Sequence, residues 1–167
     1  GVQRVGVLFE EKEYFLTELV MAGEIINQMM AILKPHIKSD GKAKSKVLLG
    51  TAKGDMHNIG KNIVKVFMQA EGFEVIDLGV DVSSESFIEK IRSEKPDILG
   101  ISTLLSASMP GLEDLMEDLK REGVRDSVKV ILGGASITQD FVDDIGADGY
   151  ARDAINGINM CKGWVEK

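Results

Sequence analysis

Asp55, His57 and Gly60 stand in the order Asp-x-His-x-x-Gly within the stretch Asp55-Met56-His57-Asn58-Ile59-Gly60. An aspartate two residues before a histidine can hold one imidazole nitrogen with its carboxylate while the other nitrogen points at a metal. Gly60 lets a large group approach the backbone. The chain has two histidines, His36 and His57, too few to close a multi-histidine metal site. One histidine is enough for a metal that arrives already chelated in a macrocycle.

Three further stretches carry polar or small residues where chemistry could sit: Ser102-Thr103-Leu104-Leu105-Ser106, Gly133-Gly134-Ala135-Ser136, and Gly149-Tyr150-Ala151-Arg152-Asp153-Ala154. Each has a plain reading when taken alone. Asp-x-His in a loop serves as a helix cap beside a surface histidine. The Ser/Thr cluster caps the helix that follows it. Diglycine occurs wherever a turn needs positive φ. Met21, Met29 and Met30 read as core, and Cys161 as a small buried hydrophobe of the last helix.

The elements that must position these residues show two rhythms. Between residues 15 and 33 the apolar side chains Phe15, Leu16, Leu19, Val20, Ile25, Ile26, Met29, Met30 and Leu33 recur at helical spacing. Thr17 is the expected cap and Pro35 the stop signal. Residues 2–9 read as the tail of an earlier helix, and the polar stretch 35–45 as a linker. From residue 46 short apolar runs alternate with amphipathic ones. Strands are expected at 46–50, 73–78, 98–102, 128–132 and 149–150, and helices at 59–71, 84–93, 110–122, 138–145 and 153–164. The strands are near-continuous apolar runs, as they are when both faces of a sheet are covered. The expected fold is therefore α/β: a flavodoxin-like, doubly wound, five-stranded parallel sheet of order 2-1-3-4-5, preceded by a partial helical cap. The expected organisation is a cap over residues 1–38, a linker over 39–45 and the α/β domain over 46–167. In that topology all four loops named above line one crevice at the carboxyl edge of the sheet.

Composition narrows the classes. A chain of 167 residues can bury roughly 70% of its unfolded surface. Apolar content of 44% and charged content of 28% are those of a soluble protein. A net charge of −7 does not attract phosphate backbones, so no nucleic-acid partner is expected. One cysteine excludes a disulfide framework and points to a reducing cytoplasm. No apolar run approaches the ~20 residues of a membrane span, and no signal peptide is visible. The chain begins with Gly1, consistent with processing, engineering or truncation.

Taken jointly, Asp55-x-His57-x-x-Gly60, Ser102-x-Leu104 and Gly133-Gly134, each at the end of the appropriate strand, resemble the signature of the cobalamin-binding domains. The resemblance covers nearly the whole chain. The segment from Phe9 to Leu19 is similar to the helical cap module before that domain in methionine synthase, and closer to the corrinoid proteins of methylamine- and methanol-type methyltransferase systems. The resemblance implies cobalamin as cofactor, as methylcobalamin and cob(I)alamin. It implies His57 as the lower axial cobalt ligand, replacing the cofactor's own base. Asp55 would orient His57, and Ser102 would complete the relay. The nucleotide tail would run between the first and third strands, past Gly60, Leu104, Gly133 and Gly134. Met56, Asn58, Ile59 and Ser106 would contribute to the same surface, and Tyr150, Ala151 and Ala154 would meet the tail from the last turn. The implied function is a non-catalytic methyl carrier. Its partners would be a barrel-type substrate methyltransferase, an acceptor methyltransferase using a pterin or thiol, and a reductive activator.

Two departures stand out. The family's cap is usually a four-helix bundle, whereas one full helix and the end of another are visible here, so self-association through the apolar stripe is expected. Thr17 and Arg152 stand where relatives often carry proline. Rival readings are a cobalamin-binding subunit of an adenosylcobalamin-dependent isomerase, a cobalamin-based sensor domain, a flavin carrier, a phosphorelay receiver and a plain interaction domain. Asp55 would repel a flavin phosphate, and a receiver needs aspartate where Ser102 stands.

Overall fold

The computed structural model describes Arg4, Leu8, residues 11–33 and residues 45–165. The chain divides into two compact units, residues 1–38 and 39–167.

In the first unit, helix α1 spans Leu16–Leu33. Its start is capped from within: the Glu18 carboxylate reaches back to accept the Phe15 N–H at 2.8 Å. This corrects the expectation for Thr17, which lies inside the first turn. Glu18 is the third helical residue, the position from which a long carboxylate reaches the capping residue's N–H. Phe15, Met21, Ile25, Met29 and Ile32 are exposed. The expected helix over 2–9 lies outside the described residues apart from Arg4 and Leu8. Residues 35–44 of the expected linker lie outside them too, as do the side chains of Leu16, Leu19, Val20, Ile26, Met30 and Leu33.

The second unit is built on five parallel strands: β1 Lys46–Thr51, β2 Glu74–Asp77, β3 Ile98–Ser102, β4 Lys129–Gly133 and β5 Gly149–Ala151. Their order is β2-β1-β3-β4-β5, the doubly wound order expected from the sequence. Val47 pairs with Val75 on one side and Ile98 on the other, and Leu132 pairs with Tyr150 at the far edge. Helices α2 Ile59–Ala70, α3 Ser84–Glu94, α4 Met109–Arg121, α5 Gln139–Ile145 and α6 Ala154–Val165 connect and follow the strands.

Alternation along each strand sorts the core into two layers. Val47, Ile98 and Ile131 pack with Met68 of α2 and with Ile158 and Cys161 of α6. The neighbouring residues Leu48, Leu99, Val130 and Leu132 pack with Phe87 and Ile91 of α3, with Leu112, Met116 and Leu119 of α4, and with Val142 of α5. Each fully buried side chain of this size stabilises the fold by about 1.5–3 kcal/mol. Gly50 makes room for α3, since a β-carbon there would lie 2.9 Å from the Phe87 ring. Helix starts follow local chemistry: Ser83 accepts from the Ser86 N–H and Thr138 from the Phe141 N–H, while Asp153 accepts from the Asn156 N–H at 2.8 Å. Two short 3₁₀ turns not foreseen from the sequence, Ser106–Ser108 and Arg125–Ser127, precede α4 and β4. Cys161 is fully buried, and burial pushes its thiol up to about 12. Among the described residues no helix is long and apolar enough to cross a membrane.

Candidate functional site

The strand order reverses between β1 and β3, and the loops leaving their carboxyl ends are stitched together by one carboxylate. Asp55 is fully buried. Its Oδ1 accepts the His57 N–H at 2.8 Å and lies 2.8 Å from His57 Nδ1. Its Oδ2 accepts the Thr103 hydroxyl at 2.9 Å and the Leu104 N–H at 2.5 Å, with the Leu105 N–H at 3.3 Å. Burial raises the Asp55 carboxyl, but the N–H groups of His57 and Leu104, the His57 ring and the Thr103 hydroxyl outweigh it. The group is held well below its ordinary 3.8. In neutral imidazole, a carboxylate acceptor at Nδ1 favours the tautomer with the proton at that nitrogen, which leaves the lone pair on Nε2.

The His57 side chain is 52% exposed. Met56, Leu104 and Leu105 beside it are exposed too, although they are large and apolar. Exposed apolar groups flanking one oriented imidazole make a surface that is dry once covered. Helix α2 starts directly behind it, with Asn58 at its N-cap. The buried Lys61 of its first turn pairs with Asp77 at the end of β2, Nζ to Oδ1 at 2.6 Å. Lys65 pairs with the other oxygen of Asp77 at 2.9 Å. Gly60 faces open space, since a β-carbon there would meet nothing within 4 Å.

The hydroxyl that reaches Asp55 belongs to Thr103, not to Ser102, and the sequence expectation is corrected on that point. Ser102 is still in the sheet: it pairs with Thr51 and Gly133, and its carbonyl accepts the Ala52 N–H at 3.0 Å. One residue further on the chain leaves the strand, and there the side chain turns toward Asp55. Ser106 is exposed on the following 3₁₀ turn, while Ser108 at its end is buried. Ser108 Oγ lies 3.5 Å from where a β-carbon on Gly54 would be, directly against the β1 loop.

The diglycine answers first to the protein's own backbone. Gly134 has φ +128, and a β-carbon there would collide with the Thr103 carbonyl. Gly133 accepts the Thr103 N–H through its carbonyl at 3.0 Å, and a β-carbon on it would lie 3.3 Å from the Ala151 side chain. Ser136 donates its hydroxyl to the Leu104 carbonyl at 2.5 Å. On β5, Ala151 packs on the α2/α6 face and Tyr150 on the opposite one. Tyr150 is thus not brought to the same surface as Ala151, because successive strand residues point to opposite faces. Ala154 is half-buried at the start of α6.

Thr103 and Ser136 fall within the stretches singled out from the sequence but have no role of their own there, while Thr51, Asp81 and Ser108 fall outside those stretches. The available signal was position: each lies at or just after the carboxyl end of a strand, where a polar side chain has loops to bond. By contrast, a polar cavity of about 790 Å³ lies at the opposite edge, lined by Lys120, Arg125, Lys129 and Asp148 among others. Arg125 and Lys129 are there paired with Asp148, so its charge is largely matched internally.

Residues 45–159 match a family described as B12 binding domain, and residues 1–34 match a second family with the same description. The chain is similar to dimethylamine corrinoid protein 1 of Methanosarcina acetivorans, with 42% identity over 97% of this chain and 77% of that protein. It is also similar to the solved monomethylamine corrinoid protein of Methanosarcina barkeri, with TM-score 0.87 and 36% identity over 96% of this chain and 77% of that one. A third likeness is to the methanol:cobalamin methyltransferase complex of the same organism, with TM-score 0.70 and 28% identity over 99% of this chain and 63% of that one. The residues present fit a cobalt macrocycle: one oriented imidazole with a free nitrogen, exposed apolar neighbours beside it, and open space above Gly60.

Proposed function

The chain belongs to the B12-binding domain family and binds cobalamin, and from that premise we propose that it is a methyl carrier of a corrinoid-dependent methyltransferase system. The observation that carries the reading is the Asp55–His57 pair, with Nδ1 held at 2.8 Å by a buried carboxylate and the ring half exposed. In this reading His57 Nε2 would hold the cobalt, and Asp55 fixes the ring and its tautomer. Met56, Leu104 and Leu105, exposed beside His57, would shield the bound macrocycle from water. Gly60 leaves space for the nucleotide tail. When bound, cobalamin supplies the nucleophilic metal that takes up a methyl group and hands it on.

The chain's own task is to hold, orient and present the cofactor. In this reading the carboxyl edge supports the cofactor rather than a methyl donor: among the described residues its one buried carboxylate, Asp55, is taken up by His57, Thr103 and Leu104. Donor chemistry thus belongs to a barrel-type substrate methyltransferase, acceptor chemistry to a second methyltransferase using a pterin or thiol, and reactivation of oxidised cobalt to a reductase. The relatives named for dimethylamine, monomethylamine and methanol support this division of labour.

The test is reconstitution. The chain is loaded with hydroxocobalamin, reduced chemically, and mixed with a methylamine or methanol methyltransferase and its substrate. Methylation of the bound cofactor is expected only when the methyltransferase is present. Turnover of methylamines, methanol or betaines by the loaded chain alone would contradict the carrier reading.

A further inference from the structure

Asp81, on the loop between β2 and α3, has φ +53. A non-glycine residue occupies that region only at an energetic penalty, which aspartate and asparagine bear better than most. Both its backbone and its side chain are turned onto the loop that follows β1. Its N–H donates to Thr51 Oγ1 at 2.9 Å and lies 3.1 Å from the Asp55 carbonyl oxygen. Its Oδ1 accepts the Gly54 N–H at 2.7 Å. Thr51, fully buried, donates its hydroxyl to the same Asp55 carbonyl at 2.5 Å. The Val82 N–H completes the clasp on the Thr51 carbonyl at 3.3 Å.

The β1 loop is thereby gripped from two sides. Thr103 and Leu104 of the β3 loop fix the Asp55 carboxylate. Asp81 and Thr51 fix the backbone from Gly54 to Asp55. If residue 81 were needed only for its turn, glycine would serve with no strain. Aspartate there adds an acceptor aimed at Gly54, one residue before Asp55.

We propose that Asp81 is a positioning residue for the cobalt ligand: by holding Gly54 and the Asp55 carbonyl, it sets how His57 is presented to the metal. The inference rests on reading His57 as that ligand. Asp81 acts through the loop, for the bonds of its N–H and carboxylate go to Thr51, Gly54 and Asp55 and none goes to the His57 ring.

Two substitutions separate the acceptor from the turn. Asp81→Gly keeps the left-handed conformation and removes the acceptor. Asp81→Asn keeps both an αL-tolerant backbone and an oxygen for Gly54. Wild type and both variants are loaded with hydroxocobalamin, reduced to the cobalt(II) state and examined by electron paramagnetic resonance, with affinity measured alongside. Wild type and Asp81→Asn are expected to show nitrogen splitting from the imidazole in nearly all centres. Asp81→Gly is expected to show it in a minority and to bind about tenfold more weakly, the effect of one lost charge-assisted hydrogen bond. Unchanged splitting and affinity in Asp81→Gly would overturn the inference. So would an Asp81→Gly protein that is less stable without cofactor but keeps the wild-type splitting, since Asp81 would then serve the fold alone. Absence of splitting in the wild type would overturn the reading of His57 itself, and the inference with it.

Discussion

Gly134 passes so close to Thr103 that any β-carbon at 134 would collide with the Thr103 carbonyl oxygen. The β4 loop therefore buttresses the residue whose hydroxyl grips Asp55. Gly134→Ala combines this collision with a φ of +128 that alanine avoids, so it should destabilise the fold by about 2–4 kcal/mol. Urea unfolding of the cofactor-free protein measures this directly. A loss under 1 kcal/mol would mean that the two loops separate easily.

Gly60 makes the opposite case. A β-carbon there meets nothing within 4 Å, and the residue lies in the first turn of α2. Gly60→Ala should leave the cofactor-free protein unchanged or more stable by up to about 1 kcal/mol. If the nucleotide tail passes over this position, the same variant should bind cobalamin about tenfold or more weakly, and Gly60→Leu weaker still. Wild-type affinity in Gly60→Leu would place the tail elsewhere.

Acid should act on carboxylates at both edges of the sheet. Burial raises the Asp148 carboxyl, but Lys129, the Val130 N–H and Arg125 together hold it below its ordinary 3.8. A carboxyl with a lower pKa folded than unfolded binds fewer protons in the native state. Its stabilisation is complete above the ordinary carboxylate range and is lost as pH falls through the folded value. Asp148→Asn, remote from the cobalt site, should reduce stability by about 1–3 kcal/mol at pH 7. Its deficit relative to wild type should shrink below about pH 4. A deficit that stays constant to pH 3 would show that Asp148 contributes through shape rather than charge. Cobalamin affinity at pH 7 should be untouched.

Helix α1 and the Phe15 before it expose apolar side chains: Phe15, Met21, Ile25, Met29 and Ile32. An apolar face of this kind is a self-association liability when nothing covers it. The 167-residue chain should show a mass that rises with concentration in light scattering. A strictly monomeric protein whose α1 amides are well protected from exchange would contradict that expectation.

Much of the architecture was legible in the residues, and the limits of that legibility are physical. Val47-Leu48-Leu49 and Ile98-Leu99 are apolar at every position because both faces of the sheet are covered, and that continuity read as parallel strands. Boundaries shifted by one or two residues where a side chain served as a cap: Thr138 lies outside α5 because its hydroxyl caps it. At the site, the Asp55–His57 pair follows from spacing alone, since a carboxylate two residues before a histidine reaches its Nδ1. Ser102 and Thr103 could not be told apart that way. Both carry hydroxyls, and which one meets Asp55 depends on the residue at which β3 leaves the sheet. Asp81 was invisible for another reason: its bonds run across loops separated by 27 and 30 residues, and only the three-dimensional clasp pairs it with Gly54 and Thr51.

In the proposed function His57 Nε2 is the cobalt ligand that this chain supplies. The direct measurement is electron paramagnetic resonance of the cobalt(II) form in protein made with ¹⁵N-labelled histidine, compared with unlabelled protein and with His57→Ala. A triplet nitrogen splitting in the unlabelled protein should become a doublet on labelling and vanish in His57→Ala. A triplet that survives labelling would place the cofactor's own base, not His57, beneath the cobalt and contradict the account.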